Sequence, residues 1–170
     1  MAQLIALLLD QQVPIAWAFR GPLRLQERLG HLDPAESARI EPGDLVEVCR
    51  ETPAIHRYPA SMAGRIQGLC AEIVARYDGR AERVWEEAPT GRDLLDRLSS
   101  LSGFGPEKAM IGVAVLGKRF GVRPPGWEEA AGPFADDQPR SVADMTDPAS
   151  VAAVKEWKAE QRSRRRTKLD

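Results

Sequence analysis

The stretch Leu101-Ser-Gly-Phe-Gly-Pro-Glu-Lys-Ala109 decides how the rest of the chain is read. It lies between two helical patterns. Before it, Leu94, Leu95, Leu98 and Leu101 recur at helical spacing. After it, Ala109, Ile111, Val113, Ala114, Val115 and Leu116 form a strongly apolar helix. Gly103 and Gly105 permit a tight turn with positive backbone dihedrals and put no side chain in the way of a close approach. Pro106 stands at a first helical position, where its missing N–H costs nothing. The amides of the turn and of the new helix lie at the positive end of a helix dipole, which suits a phosphate oxygen. Lys108 adds a full charge there, for a phosphate or for a salt bridge. This is the physics of a clamp on a nucleic-acid backbone.

Working outward, helical patterns fill most of the chain. Leu4 to Leu9 is an apolar run ending near Asp10-Gln11-Gln12, and Pro14 restarts a helix through Ile15, Trp17, Ala18 and Phe19 towards Leu29. Gly21-Pro22 interrupts that pattern and marks a kink. Asp33-Pro34 and Glu41-Pro42 have the look of helix starts. Pro59 to Tyr77 is a long helix with Met62, Ile66, Leu69, Ile73 and Val74 on one side, capped before Pro59 or a little later by Ser61. Asp78-Gly79 ends it, a shorter helix passes through Val84 and Trp85, and Thr90 caps the helix leading into the hairpin. No segment alternates cleanly between turns, so the expectation is an all-α fold. From Gly121 the texture loosens through Arg123-Pro-Pro-Gly126, Gly132-Pro133 and Asp136-Asp137-Gln-Pro139, until a last helix begins near Asp147-Pro148.

Composition narrows the function classes. The chain has 170 residues, 43% hydrophobic and 29% charged, with a formal net charge of -1, so overall charge makes no case for nucleic acid. Charge is uneven, however: Lys155, Lys158, Arg162, Arg164, Arg165, Arg166 and Lys168 face only Glu156 and Glu160. Such a terminus either tracks phosphates or is a solvated tail. Cys49 and Cys70 make no metal-ligand spacing and read as buried reduced thiols. His31 and His56 lie far apart, which argues against zinc. There is no basic leader, and the first apolar run is too short for a membrane span. The expectation is a cytoplasmic protein with no metal and no cofactor.

Leu101 to Ala109 resembles the Leu-Pro-Gly-x-Gly hairpin of the helix–hairpin–helix DNA glycosylases of base excision repair. Leu4-Ile-Ala-Leu-Leu-Leu-Asp-Gln-Gln12 resembles the first core helix of that superfamily, which ends in a polar segment with a glutamine at the DNA. Ser61-Met-Ala-Gly-Arg-Ile66 resembles the next, with a small residue, a base and an apolar continuation. The likeness spans residues 4 to 121 and is nearest to a short bacterial group of the superfamily. It implies two helical lobes around a cleft, with residues 1–135 as the glycosylase-like domain and 136–170 as a loop and a basic C-terminal helix or tail. It further implies a monomer, associated with the nucleoid, that binds double-stranded DNA. Gly103, Phe104, Gly105, Lys108, Gln12 and Arg65 would hold the DNA, and a nucleotide would swing out of the duplex. Tyr58 falls where the family inserts a side chain into the gap so left, and Trp127 would line the base pocket. For both, packing is the competing role.

Departures from the family pattern limit the chemistry. The lysine nucleophile of strand-nicking members stands two residues after the second hairpin glycine; here that residue is Glu107. Lys108 is one residue later, turned by about 100° on a helix, so the implied activity is base release without a lyase step. The family's catalytic aspartate follows the post-hairpin helix. Phe120 to Glu129 has none, leaving Glu128 and Glu129 as substitutes or as ordinary acidic residues of a helix's first turn. Asp10, beside Gln11 and Gln12, is a further carboxylate, for acid–base work or for a helix end. The iron–sulfur cluster of many relatives needs four cysteines near the C-terminus, and none follows Cys70. The resemblance therefore implies a monofunctional DNA glycosylase, or a non-catalytic DNA- or lesion-binding module on the same fold.

Overall fold

The computed structural model describes residues 1–164, so Arg165, Arg166 and Lys168 of the basic terminus lie outside the described residues. The described chain is all-helical and contains no strand. Contacts group it into two compact units. Of the described residues, the first holds Met1–Val84 together with Leu101–Gly103, and the second holds Trp85–Ser100 and residues 104–164.

In the first unit, α1 (Ala2–Leu9) packs on α2 (Ile15–Leu29) and α5 (Pro59–Tyr77), while α3 (Pro34–Arg39) and α4 (Pro42–Arg50) also lie against α5. Helix α1 is buried on every side, with Leu4 to Leu9 each at most 4% exposed. A helix with no polar face can only be a core helix. Helix α2 runs on to Leu29 with Pro22 inside it, as the pattern continuing towards Leu29 implied. Gly21 serves contact: a Cβ there would fall 2.2 Å from Leu9 Cδ1, so the missing side chain lets α2 close onto α1. The Asp33 carboxylate accepts from the Glu36 amide to start α3. Tyr58, not Ser61, is the N-cap of α5, and no side chain caps it. Met62, Ile66, Leu69, Ile73 and Tyr77 form the buried face of α5, which stops where Asp78 and Gly79 turn left-handed.

In the second unit, the Thr90 hydroxyl accepts from the Asp93 amide at 3.1 Å and starts α7 (Gly91–Ser99). The central element is α8 (Pro106–Phe120), buried from Ile111 to Gly117. Helices α7 and α9 (Trp127–Ala131) pack on it, with 3-10 turns at Gly132–Ala135 and Val142–Asp144. Between the two groups of helices in sequence lies the short α6 (Arg83–Glu86). Lys118 Nζ reaches Asp144 Oδ1 at 2.6 Å and the Asp136 carbonyl at 2.5 Å, tying the end of α8 to the loop after α9. Arg140 pairs with Asp136 and lies over Trp157 of α10 (Pro148–Ser163), whose first turn is capped by Asp147.

Candidate nucleic-acid interface

The two hairpin glycines serve different ends. Gly103 has φ +85°, and a Cβ there would sit 2.4 Å from Leu8 Cδ1 on the buried α1. Both its conformation and its contact exclude a side chain. Gly105 does not share the expected positive dihedral: it is extended, with φ -70° and ψ 170°, and is the N-cap of α8. Among the described residues, a Cβ at Gly105 would meet nothing within 4 Å. The bare backbone at the start of α8 is therefore not required by the fold. Its carbonyl accepts the Ala109 amide at 2.9 Å, which opens the helix. Phe104, between the two glycines, is buried at 4% exposure, so the hairpin presents backbone there rather than a ring. Lys108 and Glu107 are both half-buried in the first turn of α8.

Ser102 ties the hairpin to α5. The Glu72 carboxylate accepts the Ser102 amide at 3.0 Å and also its hydroxyl.

A second cluster belongs to the first unit alone. Past the end of α1, Gln11 accepts from Arg65 Nη1 at 2.6 Å through its Oε1, and donates from Nε2 to the Leu8 carbonyl at 2.5 Å. Gln12 is exposed with φ +55°, a left-handed conformation uncommon outside glycine and asparagine. The Gln11 carbonyl meets Nε2 of His56 at 2.8 Å, and Nδ1 of the same ring accepts the Tyr58 amide at 3.1 Å. Since Nδ1 accepts, Nε2 carries the proton and donates. Tyr58 is 46% exposed, with the Arg57 guanidinium 4.8 Å from its ring centroid. Thus Gln12, Tyr58 and Arg65, separated in sequence, gather at one edge of this unit around Gln11 and His56.

The segment bearing Tyr58 is also held from α2. Trp17 Nε1 donates to the Ala54 carbonyl at 2.8 Å, and Arg24 reaches the same oxygen at 3.2 Å. Arg28 donates to the Val48 and Pro53 carbonyls at 2.7 and 2.8 Å. His56, Arg57 and Gln11 were not singled out from sequence as site residues. The spacing of His56 to Tyr58, two residues, was a local signal for the amide bond. Its partner Gln11 is distant in the chain and only folding brings it near.

The carboxylates differ in setting. Asp10 ends α1, half-buried, with its amide donating to the Ala6 carbonyl at 3.1 Å. Glu128 and Glu129 are exposed in the first turn of α9. Trp127 is occupied: a Cβ at Gly117 would lie 2.4 Å from its six-membered ring, and the Arg123 guanidinium sits 5.4 Å from its centroid. The thiols of Cys49 and Cys70 are free and buried. Burial pushes them from an ordinary value near 9 up to about 12 and about 11. Among the described residues, no helix is long and apolar enough to cross a membrane, and no three His, Cys, Asp or Glu side chains gather as metal ligands. Comparison with family models, curated proteins and solved structures found no match.

Proposed function

We propose that this chain is a base-excision protein of the helix–hairpin–helix glycosylase type: it binds duplex DNA and releases a damaged or mispaired base without nicking the strand. The observation that carries the reading is Gly105. Among the described residues nothing excludes a side chain from that exposed helix start, whereas a phosphate held by backbone amides does need bare backbone. The edge formed by Gln12, Tyr58 and Arg65 supports it further, offering polar, aromatic and cationic groups to bases and phosphates. Extruding a nucleotide costs a few kcal/mol of stacking and pairing, least at a lesion.

Of the three carboxylates, Asp10 has the setting best suited to stabilising positive charge on the sugar. It is half-buried and adjoins Gln11 and Gln12, whereas Glu128 and Glu129 are solvated. With Glu107 at the lysine position of nicking enzymes, no lyase step is proposed. The exposure of Glu128 and Glu129 favours a second reading, a lesion-binding module without turnover. The deciding experiment incubates the protein with a panel of lesion-bearing duplexes and measures binding and free base separately. Base release abolished by Asp10→Asn establishes the enzyme. Binding without release establishes the module, and no affinity at low salt overturns both.

A further inference from the structure

The His56 ring is 1% exposed, yet it belongs to an irregular segment that ends in an exposed tyrosine. A buried imidazole must satisfy both nitrogens, and here each partner lies on a different piece of the candidate interface. One is the Gln11 carbonyl, on the turn that also carries Gln12 and holds Arg65. The other is the Tyr58 amide, at the start of α5. The same segment is fastened to α2 by Trp17 and Arg24 at the Ala54 carbonyl and by Arg28 at the Pro53 carbonyl. What these bonds leave exposed is Arg57 and Tyr58, the guanidinium lying over the ring.

We infer that His56 is a positioning residue: its imidazole is a neutral strut between Gln11 and Tyr58 that presents the Tyr58 ring for stacking in the gap left by an extruded nucleotide. The inference rests on the duplex-binding reading above. An aromatic ring stacks on any base face, and the gain is largest when the ring is already ordered before binding. A swinging tyrosine would lose its freedom on binding DNA. Here the buried His56 ring fixes the Tyr58 backbone and the Arg57 guanidinium lies over the Tyr58 ring, so part of that freedom is already lost on folding. His56 touches no DNA in this scheme and acts only through Tyr58.

The test is a double-mutant cycle on the full chain, read by the anisotropy of a fluorescein-labelled duplex with one tetrahydrofuran abasic site. His56→Leu should weaken binding by about five- to tenfold, the worth of a displaced hydrogen-bonded contact. In a Tyr58→Ala background the same substitution should change nothing, because its route is gone. His56→Gln, which keeps a donor and an acceptor, should restore most of the affinity. Equal losses in both backgrounds, or no loss in either, overturn the inference. Imidazole nitrogen NMR of the wild-type chain should show a protonated Nε2 and a bare Nδ1, with the Tyr58 amide protected from exchange. The opposite tautomer overturns the strut even if His56→Leu fails to fold. Should wild-type protein bind no duplex at all, the duplex-binding reading falls, while the tautomer and the Tyr58 amide still decide the strut.

Discussion

A side chain at Gly103 would collide with Leu8: its Cβ would lie 2.4 Å from Leu8 Cδ1, and Leu8 is itself fully buried on α1. The hairpin tip and the first core helix are therefore fitted to each other within one unit. Two residues on, Gly105 has no such neighbour. The same residue type is present for packing at one position and, in the function proposed, for a ligand at the other.

That contrast separates two substitutions. Gly103→Ala should lower stability by on the order of 2 kcal/mol, from left-handed strain and displacement of Leu8. Gly105→Ala should cost less than about 1 kcal/mol in denaturant melts, the scale of a changed N-cap. Its DNA affinity should nonetheless fall about tenfold, about 1.4 kcal/mol. A normal affinity in Gly105→Ala would remove the main support for the backbone clamp.

Lys108 tests the charge component. If it faces a phosphate, Lys108→Ala should reduce the slope of log affinity against log salt by about 1 and weaken binding alike for all sequences. An unchanged slope would assign Lys108 to a salt bridge within the protein.

The carboxylates are ranked by their surroundings. Asp10→Asn should cut base release by about a hundredfold or more while sparing affinity, as expected for lost charge stabilisation in the transition state. Glu128→Gln and Glu129→Gln should leave single-turnover rates unchanged. If Glu128→Gln is the dead variant, the assignment of chemistry to Asp10 is wrong.

In the second unit, the Lys118 and Asp144 side chains are only 18% and 12% exposed, and Asp144 Oδ2 also accepts the Arg140 and Ser141 amides at 3.0 Å. Lys118→Met should destabilise the fold by on the order of 3 kcal/mol, because it strands a largely buried carboxylate. Urea melts would show it as a lower midpoint at unchanged slope.

The thiols give a pH dependence with a fixed sign. Each is raised from near 9, to about 12 for Cys49 and about 11 for Cys70, so the unfolded chain loses these protons first. Their contribution is fully present below pH 9 and is lost as the pH rises through the folded values. Cys49→Ser/Cys70→Ser should flatten the alkaline fall in stability. Thiol reagents at neutral pH should label the wild-type chain only after unfolding.

Local chemistry was legible in the sequence wherever neighbours in the chain decide the outcome. Helix α5 begins at Pro59 and ends at Asp78-Gly79 because proline pre-sets a first turn and left-handed residues close a last one. Asp33, Thr90 and Asp147 cap their helices through amides three residues on, a bond that spacing alone predicts. The helical spacing and the apolar runs were enough for an all-α fold. Tertiary structure decided what depends on partners far along the chain. Gly21 reads only as a flaw in a helical pattern, and the fold alone shows that Leu9 lies against it. The paired glycines of 101–109 read alike and differ, because Leu8 stands over one and open space over the other. His56 stands two residues before the Tyr58 amide it accepts, but its other partner, Gln11, comes only with the fold. A turn is written in adjacent residues, while a close approach is written only in the fold that brings two segments together.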